Sequence, residues 1–223
     1  RLPKNTAYSQ GLLWRCGAMS QTLGVFRAVT RCFLRLPRWR LKAGAKRYLK
    51  SSLWRPLTIL QEGHITLKDF NGSWAGAMGQ SQFIPTSFLQ YAVDYDGDGR
   101  KDIWGTPADV FASIANFLAS EGWQDDQTWG RQVSVSGDFD FTLAGLDRAK
   151  FKPLSFWQEQ GVRRFNGNDL PQVDINASLI MPDGKNGRIY LVYQNFHTLM
   201  KWNRSSYFGV SVSYLSERIK QGE

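Results

Sequence analysis

Acidic residues are missing from the first quarter of this 223-residue chain: no Asp or Glu occurs before Glu62. Residues 1–61 hold 13 of the 28 Lys and Arg, whereas residues 62–223 hold 15 bases against 19 acids, a balance of −4. The net charge of +9 therefore belongs to one segment. The nucleic-acid partner that a basic protein ordinarily invites has no motif behind it, and the acidic balance of the remainder counts against it. Cysteine is nearly absent: Cys16 and Cys32 both lie in the basic segment and match no metal-ligand spacing. Histidine is as scarce. His64 has no ligand partner near it in sequence and reads as a helix-end residue, which leaves His197. No apolar run approaches the roughly 20 residues of a membrane-spanning helix. No signal peptide opens the chain, which begins at Arg1 as a fragment or processed product would, so compartment cannot be read from its start.

What is present changes character along the chain. At 42% hydrophobic and 14% aromatic residues a sizeable core is expected, and global disorder is not. Residues 1–57 mix bulky apolar and cationic side chains without alternation, as in Arg31 to Arg40 (RCFLRLPRWR), and Pro37 interrupts them. From Thr58 onward, apolar periodicity, charges of both signs and turn residues fall into place. The run Gly72 to Pro85 (GSWAGAMGQSQFIP) concentrates small residues and then neutral amides and hydroxyls. Such a run serves tight helix packing, or it lets backbone approach a ligand while Gln80, Ser81 and Gln82 meet sugar hydroxyls and acetamido groups.

Asp94, Asp96 and Asp98 alternate, Gly99 follows where an EF-hand loop turns, and Asp102 takes the ninth loop position. Oxygen ligands at this spacing suit calcium. The twelfth position is Gly105 rather than a bidentate Glu, so a solvated Asp/Gly turn remains the alternative. Thr106-Pro107 predicts a helix start, with the helix running to Glu121 and stopped by Gly122. Short strands are predicted at 133–135, 139–141, 177–181 and 189–193, and a helix at 153–160. Helical spacing returns at 195–202 and 205–220, where Tyr207, Phe208, Val210, Tyr214 and Leu215 are expected to form one apolar face.

GSWAGAMGQSQFIP, DYDGDGRKDIW, SIANFLASEGW and, near the C-terminus, QNFHTLMKWNRSSYFGVSV together resemble the soluble-lytic-transglycosylase-B type of murein hydrolase (the membrane-bound lytic transglycosylase B family). The resemblance runs through almost all of residues 58–223. It implies an α+β fold, a lysozyme-like helical core (58–125 and 195–223) with a small β-rich insert (126–194). It implies cleavage of the MurNAc–GlcNAc β-1,4 bond to leave 1,6-anhydro-MurNAc. Peptidoglycan glycan strands are the implied partner, and no organic cofactor is expected. The protein is expected to be monomeric, periplasmic or outer-membrane-associated, with a membrane anchor open for the full-length form. Residue by residue it implies substrate contacts at Ser73, Gln82, Asn195, His197, Trp202 and Asn203, and Asp109 as the ligand completing a structural calcium site with Asp94, Asp96 and Asp98. One departure is Phe117, where the family often carries a cleft tyrosine.

A second departure is larger. Such enzymes use one carboxylic acid, in a helix of pattern W-G-x-E-S-x-F-G upstream of the GSWAGAMG run, first to protonate the glycosidic oxygen and then to deprotonate the C6 hydroxyl. That acid requires a partly apolar pocket to raise its pKa. No carboxylate exists there, and Glu62 matches no catalytic position. A one-nucleotide shift accounts for the gap. The third base of each codon from Trp14 to Gly24, joined to the first two of the next, permits A-L-W-G-x-E-S-[D/N]-F-G, with the glutamate at the Met19/Ser20 junction. Residues 1–57 are therefore expected to be an out-of-frame or disrupted catalytic-helix region. A catalytically inactive peptidoglycan-binding module is the alternative expectation.

Overall fold

The computed structural model describes residues 54–73 and 75–222, so nearly all of the segment expected to be out of frame, Met19 and Ser20 included, lies outside the described residues. The chain divides into two compact units, Arg1–Phe117 with Ile219–Glu223, and Leu118–Arg218.

In the first unit, helical backbone at 54–61 (α1) is followed by α2 (Pro85–Tyr91) and α3 (Pro107–Ser120), which continues into the second unit. Both α2 and α3 open on proline, whose fixed φ suits the first helical turn and whose missing N–H costs nothing there. Asp109 adds a negative charge to the first turn of α3, where the helix dipole favours it. Ile59, Phe88 and Ile103 are fully buried, with Val110 and Ile114 of α3 nearly so. Each such side chain contributes about 1.5–3 kcal/mol through burial.

The second unit holds a five-stranded antiparallel sheet, ordered β2-β4-β5-β1-β3. The strands are β1 (Gly130–Ser134), β2 (Lys152–Pro153), β3 (Arg163–Arg164), β4 (Asn176–Ile180) and β5 (Ile189–Val192). The register sets Leu179 opposite Leu191, Leu191 opposite Arg131, and Val133 opposite both Ile189 and Arg164. Because side chains alternate along a strand, Val133, Leu179, Ile189 and Leu191 share one face. They form a core there with Leu154 and Trp157 of α4 (Leu154–Glu159). Trp157 is fully buried and its indole N–H donates to the Ala177 carbonyl at 2.9 Å, so its large apolar body is buried at no polar cost.

Two helices end the chain, α5 (Gln194–Trp202) and α6 (Ser206–Gln221). This mixture of helices and antiparallel sheet is the α+β class the sequence implies. Four local expectations change. The strand expected at 139–141 is instead a single 3₁₀ turn at Phe141–Leu143, capped by the Asp140 carboxylate accepting from Thr142 N–H. The two-residue strands β2 and β3 carry no periodicity to detect. α5 and most of α6, expected in the helical core, fall in the second unit: the Phe196 ring lies 6.1 Å from Trp129, and Asn195 and His197 bond to other parts of that unit. Finally, the buried face of α6 is Gly209, Ser213 and Ser216, while Tyr207 and Tyr214 are more than half exposed. Space decides it: a Cβ on Gly209 would stand 2.5 Å from Met200 Cε and 2.7 Å from Phe196 Cε2. The helices approach too closely for aromatic side chains between them.

Candidate functional site

The glycine-rich run is neither a helix nor an open loop. Gly72 bridges Met78, and Met78 bridges Phe83, so the run folds into a three-limbed pleat. Its glycines are mostly consumed by the fold itself. A Cβ on Gly72 would meet the Ala77 carbonyl oxygen at 2.7 Å, and one on Gly79, at φ 60°, would meet that of Ile103 at 2.5 Å. Gly76, by contrast, faces open space. Gln80 fastens the pleat to the 103–104 turn: its backbone N–H donates to Ile103 O and its side-chain amide to Trp104 O, both at 2.8 Å. The sequence offers Gln80 as a sugar contact; here one of its two side-chain N–H groups is spent on Trp104 O and its backbone N–H on Ile103 O.

Ser73 and Gln82 sit on the outer limbs of this pleat. Ser73 Oγ accepts from Ala77 N–H at 3.1 Å, which leaves its own proton free to donate. Gln82 adopts φ 52°, the one non-glycine residue in left-handed backbone among the described residues. Its Nε2 donates to Gly79 O at 2.8 Å, leaving the carbonyl oxygen to accept. A half-buried donor and a half-buried acceptor match the two ends of an acetamido group. Next to Gln82 in the chain, Ser81 Oγ is buried with no partner among the described residues. Phe117 is buried in an aromatic cluster, 4.8 Å and edge-on from Tyr91 and 6.0 Å from Phe83; its ring packs where a tyrosine would add a hydroxyl.

The aspartate loop gathers Asp94, Asp96 and Asp109, whose ligand atoms all lie within 4.8 Å of one another. Asp98 stands outside this group, and its Oδ1 accepts from Arg100 N–H at 2.8 Å. Asp109 is 1% exposed, yet its two oxygens accept from Tyr95 N–H and Asp102 N–H, both at 2.8 Å. Asp94 holds Gly97 and Gly99 N–H at 2.8 and 2.9 Å. Asp102 instead turns to Trp104 N–H, Gly105 N–H and the Thr106 hydroxyl, so it organises the entry to α3. Three convergent carboxylates, one of them buried, fit a hard divalent cation that takes oxygen ligands. His64 braces the loop: its Nδ1 accepts from Lys101 N–H at 3.2 Å, and its Nε2 lies 3.2 Å from Glu62.

The four C-terminal candidates are not one constellation. At roughly 100° per residue, α5 turns Asn195 and Trp202 to one side and His197 to the other. Asn195 is fully buried; its amide donates to Gln124 O and Gln127 O and its carbonyl accepts from Gln124 N–H, each at 2.8 Å. It clamps a turn rather than presenting an open hydrogen-bonding group. His197 Nε2 pairs with Ser178 Oγ at 3.1 Å, with the ring edge-on to Phe151, and burial lowers its pKa. Trp202 is half-buried. Asn203 is exposed at the end of α5, its Oδ1 accepting from Ser205 N–H at 3.1 Å.

Comparison of the whole chain with known proteins points to one family. The Transglycosylase SLT domain family matches residues 27–217. Membrane-bound lytic murein transglycosylase B of Escherichia coli K12 is 32% identical over 165 residues, 71% of this chain and 41% of that protein. SltB3 of Pseudomonas aeruginosa, solved in complex with NAG-anhNAM-pentapeptide, is 38% identical with a TM-score of 0.82. That match covers 97% of this chain and 56% of the other, so the chain spans about half the length of these relatives. The lytic transglycosylase Slt35 of E. coli, solved in complex with calcium, shares the fold at 23% identity, with a TM-score of 0.74 over 97% of this chain and 66% of that one. The chain belongs to the Transglycosylase SLT domain family.

Proposed function

We propose that this chain derives from a peptidoglycan lytic transglycosylase that cleaves the MurNAc–GlcNAc β-1,4 bond and leaves a 1,6-anhydro-MurNAc end. The observation that carries the proposal is the family match over 27–217. The Ser73–Gln82 pleat supports it with a donor and an acceptor suited to an acetamido sugar. Glycan strands are the substrate, and the periplasm or the outer membrane is the place of action. A calcium ion held by Asp94, Asp96 and Asp109 stiffens the loop before α3. Ser73 and Gln82 orient the sugar, but neither can give and then recover a proton near neutral pH. That task falls to the glutamate expected at the Met19/Ser20 junction, which the sequence as written lacks.

This absence favours one second reading, an inactive module that binds peptidoglycan without cutting it. Purified murein separates the two. The chain as written is expected to release no anhydro-muropeptide by mass spectrometry. The chain with the shifted frame restored is expected to release it, and changing the restored glutamate to glutamine should lower the rate by about 10²–10⁴-fold with binding retained. Anhydro product from the unrestored chain would move the acid elsewhere, with Glu62 the first to test.

A further inference from the structure

The edge of the sheet in the second unit carries a feature the cleavage reaction does not use. Arg163 and Arg164 form the whole of β3, and strand alternation sends them to opposite faces. Arg163 is committed to its own side of the sheet: Nη1 donates to Gln158 O and Val162 O at 2.8 and 2.9 Å, and Nε lies 3.3 Å from Asp169. Arg164 pairs in register with Val133, and its guanidinium has no partner among the described residues. Arg131, two residues before Val133, lies on the same face. Its Nη1 reaches Thr128, Gly130 O and Glu217, while Nη2 and Nε keep their donors, and the side chain is 57% exposed.

The two guanidiniums flank a cavity of about 480 Å³ lined also by Val133, Leu170, Tyr193 and Phe165. Val133, Leu170 and Tyr193 belong to the buried core, so the cavity is the open end of that core. Phe165 stands beside it 69% exposed. Burial raises the Tyr193 pKa while Arg131 and Arg164 oppose the rise, so the phenol stays a neutral donor with both cations near it.

We propose that this opening binds a peptide chain end, with the terminal carboxylate held by Arg131, Arg164 and the Tyr193 hydroxyl and a small apolar side chain seated on Val133, Leu170 and Phe165. Two guanidiniums can receive a planar carboxylate through paired hydrogen bonds. The apolar floor asks for an aliphatic body that free phosphate lacks. Arg131 is already paired with Glu217, so the opening suits one negative charge better than several. The source of such chain ends rests on the murein reading, since glycan strands carry stem peptides, but the binding itself does not require cleavage.

The test is a titration of the ¹⁵N-labelled chain with acetyl-D-Ala-D-Ala, its C-terminal amide, and inorganic phosphate. Saturable shifts at the amides of Arg131, Arg164, Phe165 and Tyr193 are expected with the free acid alone, and R164Q should weaken them about tenfold. Binding of the amide or phosphate as tight as that of the acid, shifts unchanged by R164Q, or no saturation in the millimolar range overturns the proposal. Murein cleavage by the frame-restored chain is scored separately. Peptide binding without anhydro product sinks the transglycosylase reading and leaves this site standing, and the reverse result does the opposite.

Discussion

Gln82 holds a left-handed backbone at φ 52°, a region that β-branched side chains tolerate worst. Gln82→Val should therefore cost on the order of 2 kcal/mol or more, while Gln82→Gly stays within about 1 kcal/mol because relieved strain offsets the lost bond to Gly79. Chemical denaturation of the two variants checks the order. If Gln82 also contacts sugar, both should lose muropeptide binding whatever their stability. Asn195 makes the opposite case, a residue whose cost of removal is structural. Asn195→Ala strands the backbone groups of Gln124 and Gln127 and should lower stability by about 3 kcal/mol. For His197 the ordinary pKa of 6.5 is lowered in the folded state by burial. The unfolded chain thus binds the proton more readily. Stability contributed by the neutral ring is present above about pH 6.5 and is lost as pH falls through the lower folded value. The melting temperature should fall on acidification from pH 7 to 5, and His197→Gln should flatten that slope.

At the scale of elements, the aspartate loop and α3 form one device. Calcium at a hundredfold excess over its dissociation constant should stabilise the chain by about 2.7 kcal/mol. Asp96→Asn should abolish the rise in melting temperature, whereas Asp98→Asn should leave most of it, since Asp98 stands outside the carboxylate group. The alternating aspartates made the loop legible in the sequence, but spacing alone could not say which carboxylates converge. The long periodic elements were equally legible: α3, β4, β5 and both C-terminal helices lie within a few residues of expectation. What escaped was decided by distant neighbours. The buried face of α6 is set by Met200 and Phe196 pressing on Gly209, and β3 exists only because Val133 and Ser134 pair with it. Gly209→Ala should destabilise by about 1–3 kcal/mol through overpacking, and trimming Met200 in the same chain should recover part of the loss.

For the molecule as a whole, the sheet ends on both sides in strands of only two residues, Lys152–Pro153 and Arg163–Arg164. One edge thus carries a proline without an N–H and a lysine, and the other carries two cations. An unpaired edge is a template on which a second copy can add a strand, and brevity, proline and like charge all frustrate that addition. The same sheet with longer, neutral edges would expose a hydrogen-bonding ladder at each side. Replacing Pro153 with Val restores one donor and a strand-favouring side chain at the outer edge. The expected result is a concentration-dependent shift toward larger species in light scattering, with little change in the melting temperature of the dilute protein. An unchanged particle size at high concentration would show that the edge is guarded by something other than these four residues.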